Sequence, residues 1–269
     1  MPGMSTSATA HQTRPRLAEV SALSRFTASA LVFAIAFLAT SVLHEFGHGL
    51  VSFLFGQHPV VYVSHVENPE PSTTQTVLVA LAGPVTSLIT GLIILALPRG
   101  GPAELRLLRI WAGTLGVQNF FGYLLTGPFV QGGDIGKVWK ELGVPIAVQL
   151  AFCVVGAVVG TVGLGWLLAA ELTRLASDRT AVVAMGIFGW IGGTVLVLLA
   201  NIPWYNAFVA VYLVCGGVFS VYSMPFLRRA QARIAANPPR RWANSAALAA
   251  VAAVVVAVVQ LVLRHGVVL

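Results

Sequence analysis

The sequence predicts an all-α polytopic membrane protein, and three observations carry that expectation. Of its 269 residues, 57% are hydrophobic and only 9% are charged, whereas a soluble domain carries about 25% charged residues. The apolar residues gather into runs of roughly 20 or more, the length that crosses a hydrocarbon core about 30 Å thick as a helix. The Lys and Arg residues lie in the short segments between these runs, as membrane topology signals do. The net charge of +7 therefore points to a lipid bilayer as partner and not to nucleic acid.

Residues 1–25 are rich in Ser, Thr, Ala and Arg and carry a single acid, Glu19, so a disordered tail is expected there. Seven membrane helices are expected over about 27–55, 76–97, 105–126, 147–170, 181–201, 205–226 and 244–263. The fifth and sixth are divided at Asn201-Ile202-Pro203-Trp204, where proline ends a helix and tryptophan suits an interface. With the first segment inside, 13 of the 16 basic residues fall on inner segments, and only Lys137, Lys140 and Arg264 fall on outer ones. An integral, multi-pass protein of the cell membrane follows, with its first residue inside and its last outside. Residues 26–140 form a three-helix core and residues 141–269 a further membrane-helix region. Cys153 and Cys215 both sit in apolar runs and read as packing residues.

The first connection, 57–75, contains Pro59-Val-Val-Tyr-Val-Ser-His65, a β-branched and aromatic run that suits a short strand or β-hairpin. An open strand edge at that place would accept an extended substrate by strand addition. The second helix carries Ala82-Gly83-Pro84, then Ser87 and Gly91 at spacings of four, a pattern that lets helices approach closely. Beyond the core, Glu171 and Arg174 can pair locally. The glycines at 156, 160, 163 and 165 suggest close packing. The five arginines of 228–243 suggest an inner loop drawn to anionic lipid.

Chemistry concentrates at Leu43-His44-Glu45-Phe46-Gly47-His48-Gly49, inside the first apolar run. Histidines four apart on a helix stack on one face, one turn apart, where both imidazoles can reach one zinc ion. Glu45 stands beside the first of them, placed to accept a proton from water activated by the ion. From 6 His and 7 Glu in 269 residues, an accidental match is expected in roughly one such chain in three hundred. Ionisable groups within a membrane helix are costly and usually functional. A histidine pair that merely bonds neighbouring helices would not account for Glu45.

After the third helix comes Thr126-Gly-Pro-Phe-Val-Gln-Gly-Gly-Asp134-Ile-Gly136, where helix should break. Helices one and three run in the same direction, so alternation brings Asp134 to the end of the bundle that holds the histidines. A carboxylate there completes a two-His, one-acid site with one open position. His58, His65 and Glu67 in the first connection compete for that role. Asp178, the other aspartate, is expected at the opposite end.

These elements together resemble the site-2 protease family, the intramembrane zinc metalloproteases of peptidase group M50. The resemblance rests on His44-Glu45-Phe-Gly-His48, on Ala82-Gly83-Pro84 and on Gly133-Asp134, and covers about residues 27–140. It implies zinc bound by His44, His48 and Asp134, with Glu45 as catalytic base. The family often has Asn three residues after its Gly-Pro proline, where this chain has Ser87, and its acidic ligand is usually followed by Gly, where this chain has Ile135. The expected function is hydrolysis of a peptide bond within or beside a transmembrane segment of a membrane-protein substrate. Two other readings use the same residues: a non-proteolytic membrane protein with a structural or regulatory metal, and a metal or proton transporter, which would need further ionisable residues along the later helices.

Overall fold

The computed structural model describes residues 22–67, 72–176, 178–200, 217–228 and 245–269. Within them lie α1 (Ala22–Leu54), β1 (Val60–Val61), β2 (Val66–Glu67), α2 (Thr73–Ala96), α3 (Ala103–Thr126) and α4 (Asp134–Glu141). They are followed by α5 (Ile146–Leu172), α6 (Thr180–Leu199), two short helices at Phe219–Tyr222 and Met224–Arg228, α7 (Ala246–Leu263) and β3 (Val267–Val268).

Among the described residues five helices, α1, α2, α5, α6 and α7, are long and apolar enough to cross a membrane. The protein is therefore a mostly helical chain of membrane-protein character. The third expected span is the 24-residue α3, which carries Glu104, Arg106 and Arg109 in its first two turns and is not among these five. Most of the sixth expected span, 205–226, lies outside the described residues, as do Cys215, the Asn201–Trp204 junction and nearly all of 228–243. The tail expected over 1–25 lies outside them up to residue 21, and residues 22–25 already belong to α1.

Helix α1 is the centre of the bundle and packs against α2, α3, α6 and α7. Its apolar residues Val32, Phe33, Ala36 and Phe37 meet Leu107, Ile110 and Trp111 of α3 in one core with Leu168, Leu172 and Met185. The Phe33 and Trp111 rings meet edge to face with centroids 4.9 Å apart, a preferred aromatic geometry. In lipid, close packing rather than water exclusion holds helices together. The α2–α3 contact shows how: a Cβ on Gly116 would lie 2.6 Å from the Ser87 carbonyl oxygen and 2.8 Å from the Gly91 Cα, so only glycine permits this approach. The expected small-residue stripe on α2 is thus split between two partners, with Gly91 facing α3 and Gly83 facing α1.

The hairpin expected after the first helix is present, with Val60 paired to Glu67 and Val61 to Val66. Its β1 edge is not open, however. β3 pairs antiparallel on the other side of β1, giving the order β2-β1-β3.

The two ends of the bundle differ in charge. Arg25 at the start of α1 pairs with Asp178 at 3.0 Å. Arg99 after α2, Arg109 in α3 and Arg174 after α5 all converge on the buried Glu171. Arg25 and His44 are 19 residues apart on one helix, or about 28 Å along its axis. The arginines and the histidines therefore occupy opposite ends.

Candidate metal centre

His44 and His48 both sit on the buried face of α1, one turn apart as the spacing requires. The break after α3 is made by a turn in which Phe129 and Val130 donate back to the Thr126 carbonyl and Gly133 donates to Val130. That turn delivers Asp134 as the first residue of α4. His44 Nε2 lies 3.0 Å from Asp134 Oδ2, His48 Nε2 lies 3.3 Å from the same oxygen, and the two Nε2 atoms are 3.1 Å apart.

The outer ring nitrogens decide what this triangle is for. His48 Nδ1 is 2.6 Å from the Val79 carbonyl oxygen, which can only accept, so Nδ1 carries the hydrogen. In the neutral ring Nε2 then presents a lone pair to the centre. His44 Nδ1 is 3.0 Å from Ser87 Oγ, a hydroxyl able to accept from Nδ1 and so leave the Nε2 lone pair of that ring facing the centre as well. Two imidazole lone pairs and a carboxylate oxygen that face one another repel unless a cation lies between them. Such anchoring of the outer nitrogen is how metal-ligating histidines are held. Among the described residues His44, His48 and Asp134 are the group of three that can hold a metal ion.

The chain is shaped around this arrangement. A Cβ on Gly83 would overlap the His48 ring at Nε2, Cε1 and Cδ2, so a glycine is needed where α2 passes the imidazole. On its other side the His44 ring stacks on Tyr123 of α3, with centroids 5.5 Å apart and planes 11° from parallel. Replacing Gly83 with Ala is expected to push the His48 ring aside and weaken metal binding by about tenfold or more. Equilibrium dialysis of the purified variant against a metal buffer checks this.

Glu45 is partly buried beside the group, and no hydrogen bond or ion pair to a described residue engages its carboxylate. The competing ligands lie elsewhere. His58, His65 and Glu67 are exposed, and His65 stacks on Tyr62 in the loop after α1. Asp178 caps the start of α6 by accepting from Ala181 N–H, and it pairs with Arg25. The supporting partners of the histidines were not foreseen from the sequence. Ser87 stood out only as a small residue and Val79 O is a main-chain atom. Tyr123 is one aromatic among several in Phe120-Phe121-Gly122-Tyr123.

Fold and site together define a helical protein of membrane character with a group of two buried histidines and the half-buried Asp134 able to hold a metal ion. No family model matches the chain, and no curated protein and no solved structure matches it either.

Proposed function

We propose that the protein is a zinc-dependent intramembrane protease of the site-2 protease kind, which hydrolyses a peptide bond within or next to a transmembrane segment of a membrane protein. One observation carries the reading: two imidazole nitrogens and one carboxylate oxygen converge, 3.0 to 3.3 Å apart, beside Glu45, whose carboxylate makes no hydrogen bond or ion pair among the described residues. Three corners of a tetrahedron around zinc, with bonds near 2.0–2.1 Å, stand about 3.3 Å apart. The set is therefore the right size and leaves one position open. Bound there, zinc supplies a Lewis acid that polarises a carbonyl and lowers the pKa of water.

The chain's own residues do the rest. Ser87 and the Val79 carbonyl hold the two rings in register, and Asp134 closes the third side. Glu45 accepts the proton of the attacking water and returns it to the leaving amine. The site lies on a buried helix of membrane-spanning length, which matches a substrate embedded in lipid. Helical peptide carbonyls are tied up in hydrogen bonds, so the substrate must unwind before it reacts. The transport alternative gains little: Glu171, the ionisable group of α5, is held by three arginines at the opposite end and offers no relay toward the histidines.

Glu45→Gln tests the proposal. The variant is expected to keep about one zinc per chain and to lose cleavage by a factor on the order of 10² to 10⁴. Metal analysis of the purified protein gives the first quantity. Comparison of membrane-protein fragment ends in cells making the wild-type or the variant protein gives the second. Indistinguishable fragments from the two cell lines would remove the protease reading and leave a structural metal site.

A further inference from the structure

Glu171 is the meeting point of three arginines, and the charges there do not cancel. Its Oε1 accepts from Arg99 Nε at 3.1 Å, in the link after α2, and from a terminal nitrogen of Arg174, after α5. Its Oε2 accepts from Arg109 of α3. Three guanidinium groups thus share one carboxylate, which leaves an excess of two positive charges. The other ionisable side chains described at this end leave that excess in place. Arg25 and Asp178 pair with each other, and Glu104 and Arg106 in the first turn of α3 add one charge of each sign.

The excess sits on Arg99 and Arg174. Arg109 is buried and uses its two terminal nitrogens on Glu171 and the Leu95 carbonyl, so Glu171 balances it within the bundle. Arg99 and Arg174 are 54% and 51% exposed on their side chains. Among the described residues Arg99 is bonded through Nε alone and Arg174 through one terminal nitrogen. A guanidinium carries five N–H donors, so each keeps several for an outside acceptor. Both groups are bonded to the same Glu171 oxygen, which holds them within reach of one small anion. After Arg99 the chain continues as Gly100-Gly101, and a Cβ on Gly100 would meet nothing within 4 Å, so an incoming anion finds open space there.

Arg99 comes three residues after the end of α2 and Arg174 two residues after the end of α5, both helices of membrane-crossing length. That is the level of lipid headgroups, where basic residues between helix ends hold anionic lipid. Leu97 and Leu105, before and after Arg99 in the chain, are exposed and offer apolar surface to an acyl chain. We propose that Arg99 and Arg174, seated on Glu171, form a binding site for a phosphate group, and that its occupant is the headgroup of an anionic phospholipid. The two non-bridging phosphate oxygens accept from the two guanidinium groups, whose planar donors suit phosphate geometry. Occupancy ties the ends of α2 and α5 together from outside the bundle, as Glu171 does from inside. The site lies at the far end from His44 and His48 and needs neither the metal nor cleavage.

The test is native mass spectrometry of the full chain in detergent, titrated with three probes. They are dioleoylphosphatidylglycerol; dioleoylphosphatidylcholine, whose phosphate is balanced by its own ammonium; and glycerol phosphate, which has no acyl chain. The wild-type protein is expected to bind phosphatidylglycerol saturably and about tenfold or more tightly than phosphatidylcholine. Arg99→Gln with Arg174→Gln leaves the buried Arg109–Glu171 pair in place and should bring phosphatidylglycerol binding down to the phosphatidylcholine level. Each single substitution should weaken it by about fivefold, so the result does not depend on the double variant folding. Lys137→Gln with Lys140→Gln removes the same charge from exposed positions of α4 and should leave lipid binding unchanged. Equal binding of the two lipids by the wild type, unchanged phosphatidylglycerol binding in the arginine variants, or an equal loss in the lysine variant overturns the proposal. Displacement of phosphatidylglycerol by an equal concentration of glycerol phosphate would assign the site to a soluble phosphate and overturn the lipid assignment.

Discussion

Replacing Asp134 with Asn is expected to strip the metal from the protein while leaving it folded. Asn keeps the shape of the side chain and removes the charge that balances an ion between two imidazoles. Asp134 Oδ2 is 3.0 Å from His44 Nε2 and 3.3 Å from His48 Nε2, and among the described residues it is the carboxylate that joins the two histidines in the metal-holding group. Loss of an outer partner of a ligand weakens metal affinity by about 10- to 100-fold, and loss of a ligand itself should exceed that. Metal content after dialysis should fall from about one per chain to near zero, and under the proposed function cleavage should be lost in step. Asp178→Asn and Glu67→Gln should leave metal content unchanged, since Asp178 pairs with Arg25 at the far end and Glu67 is exposed on β2. Normal metal content in Asp134→Asn together with its loss in Glu67→Gln would move the third ligand to the first connection.

The parts of this site that were legible in the sequence are those whose chemistry is local or fixed by helix direction. His44, Glu45 and His48 are read from one helical turn. Asp134 is read from a break in helix and from the alternation of spans, because those two facts fix the end of the bundle on which it must lie. What was not legible depends on contacts between distant segments. The Ser87 and Val79 partners of the histidines, the glycine at 83 that clears the His48 ring, and Tyr123 against His44 arise only once α1, α2 and α3 are packed. The pairing of β1 with β3 joins residues some two hundred positions apart, and no period or motif announces it. The β1 edge of the hairpin after α1 is closed for that reason, while β2 lies at the edge of the sheet.

The arginine end of the bundle shows the same limit and gives the second large effect. Glu171 and Arg174 were legible as a local pair three residues apart. The structure adds Arg99, whose Nε donates to Glu171 Oε1 at 3.1 Å, and Arg109, which donates to Glu171 Oε2 and also to the Leu95 carbonyl. Glu171 is 3% exposed and Arg109 7%, so one buried carboxylate neutralises a buried guanidinium and joins the ends of α2, α3 and α5. Glu171→Gln leaves Arg109 buried without its counter-charge. Removing one partner of such a pair costs about 3–5 kcal/mol. The Arg25–Asp178 pair is the internal comparison: Asp178 is 47% exposed on its side chain, and exposed pairs are worth about 0–1 kcal/mol. Unfolding of detergent-solubilised protein by added denaturing detergent should therefore shift strongly for Glu171→Gln and barely for Asp178→Asn. The folded fraction of Glu171→Gln should still hold about one metal per chain, because His44, His48 and Asp134 lie at the other end of the helices. Stability within about 1 kcal/mol of wild type for Glu171→Gln would mean that the arginines are satisfied by water or lipid, and that the cluster does not hold the three helix ends together.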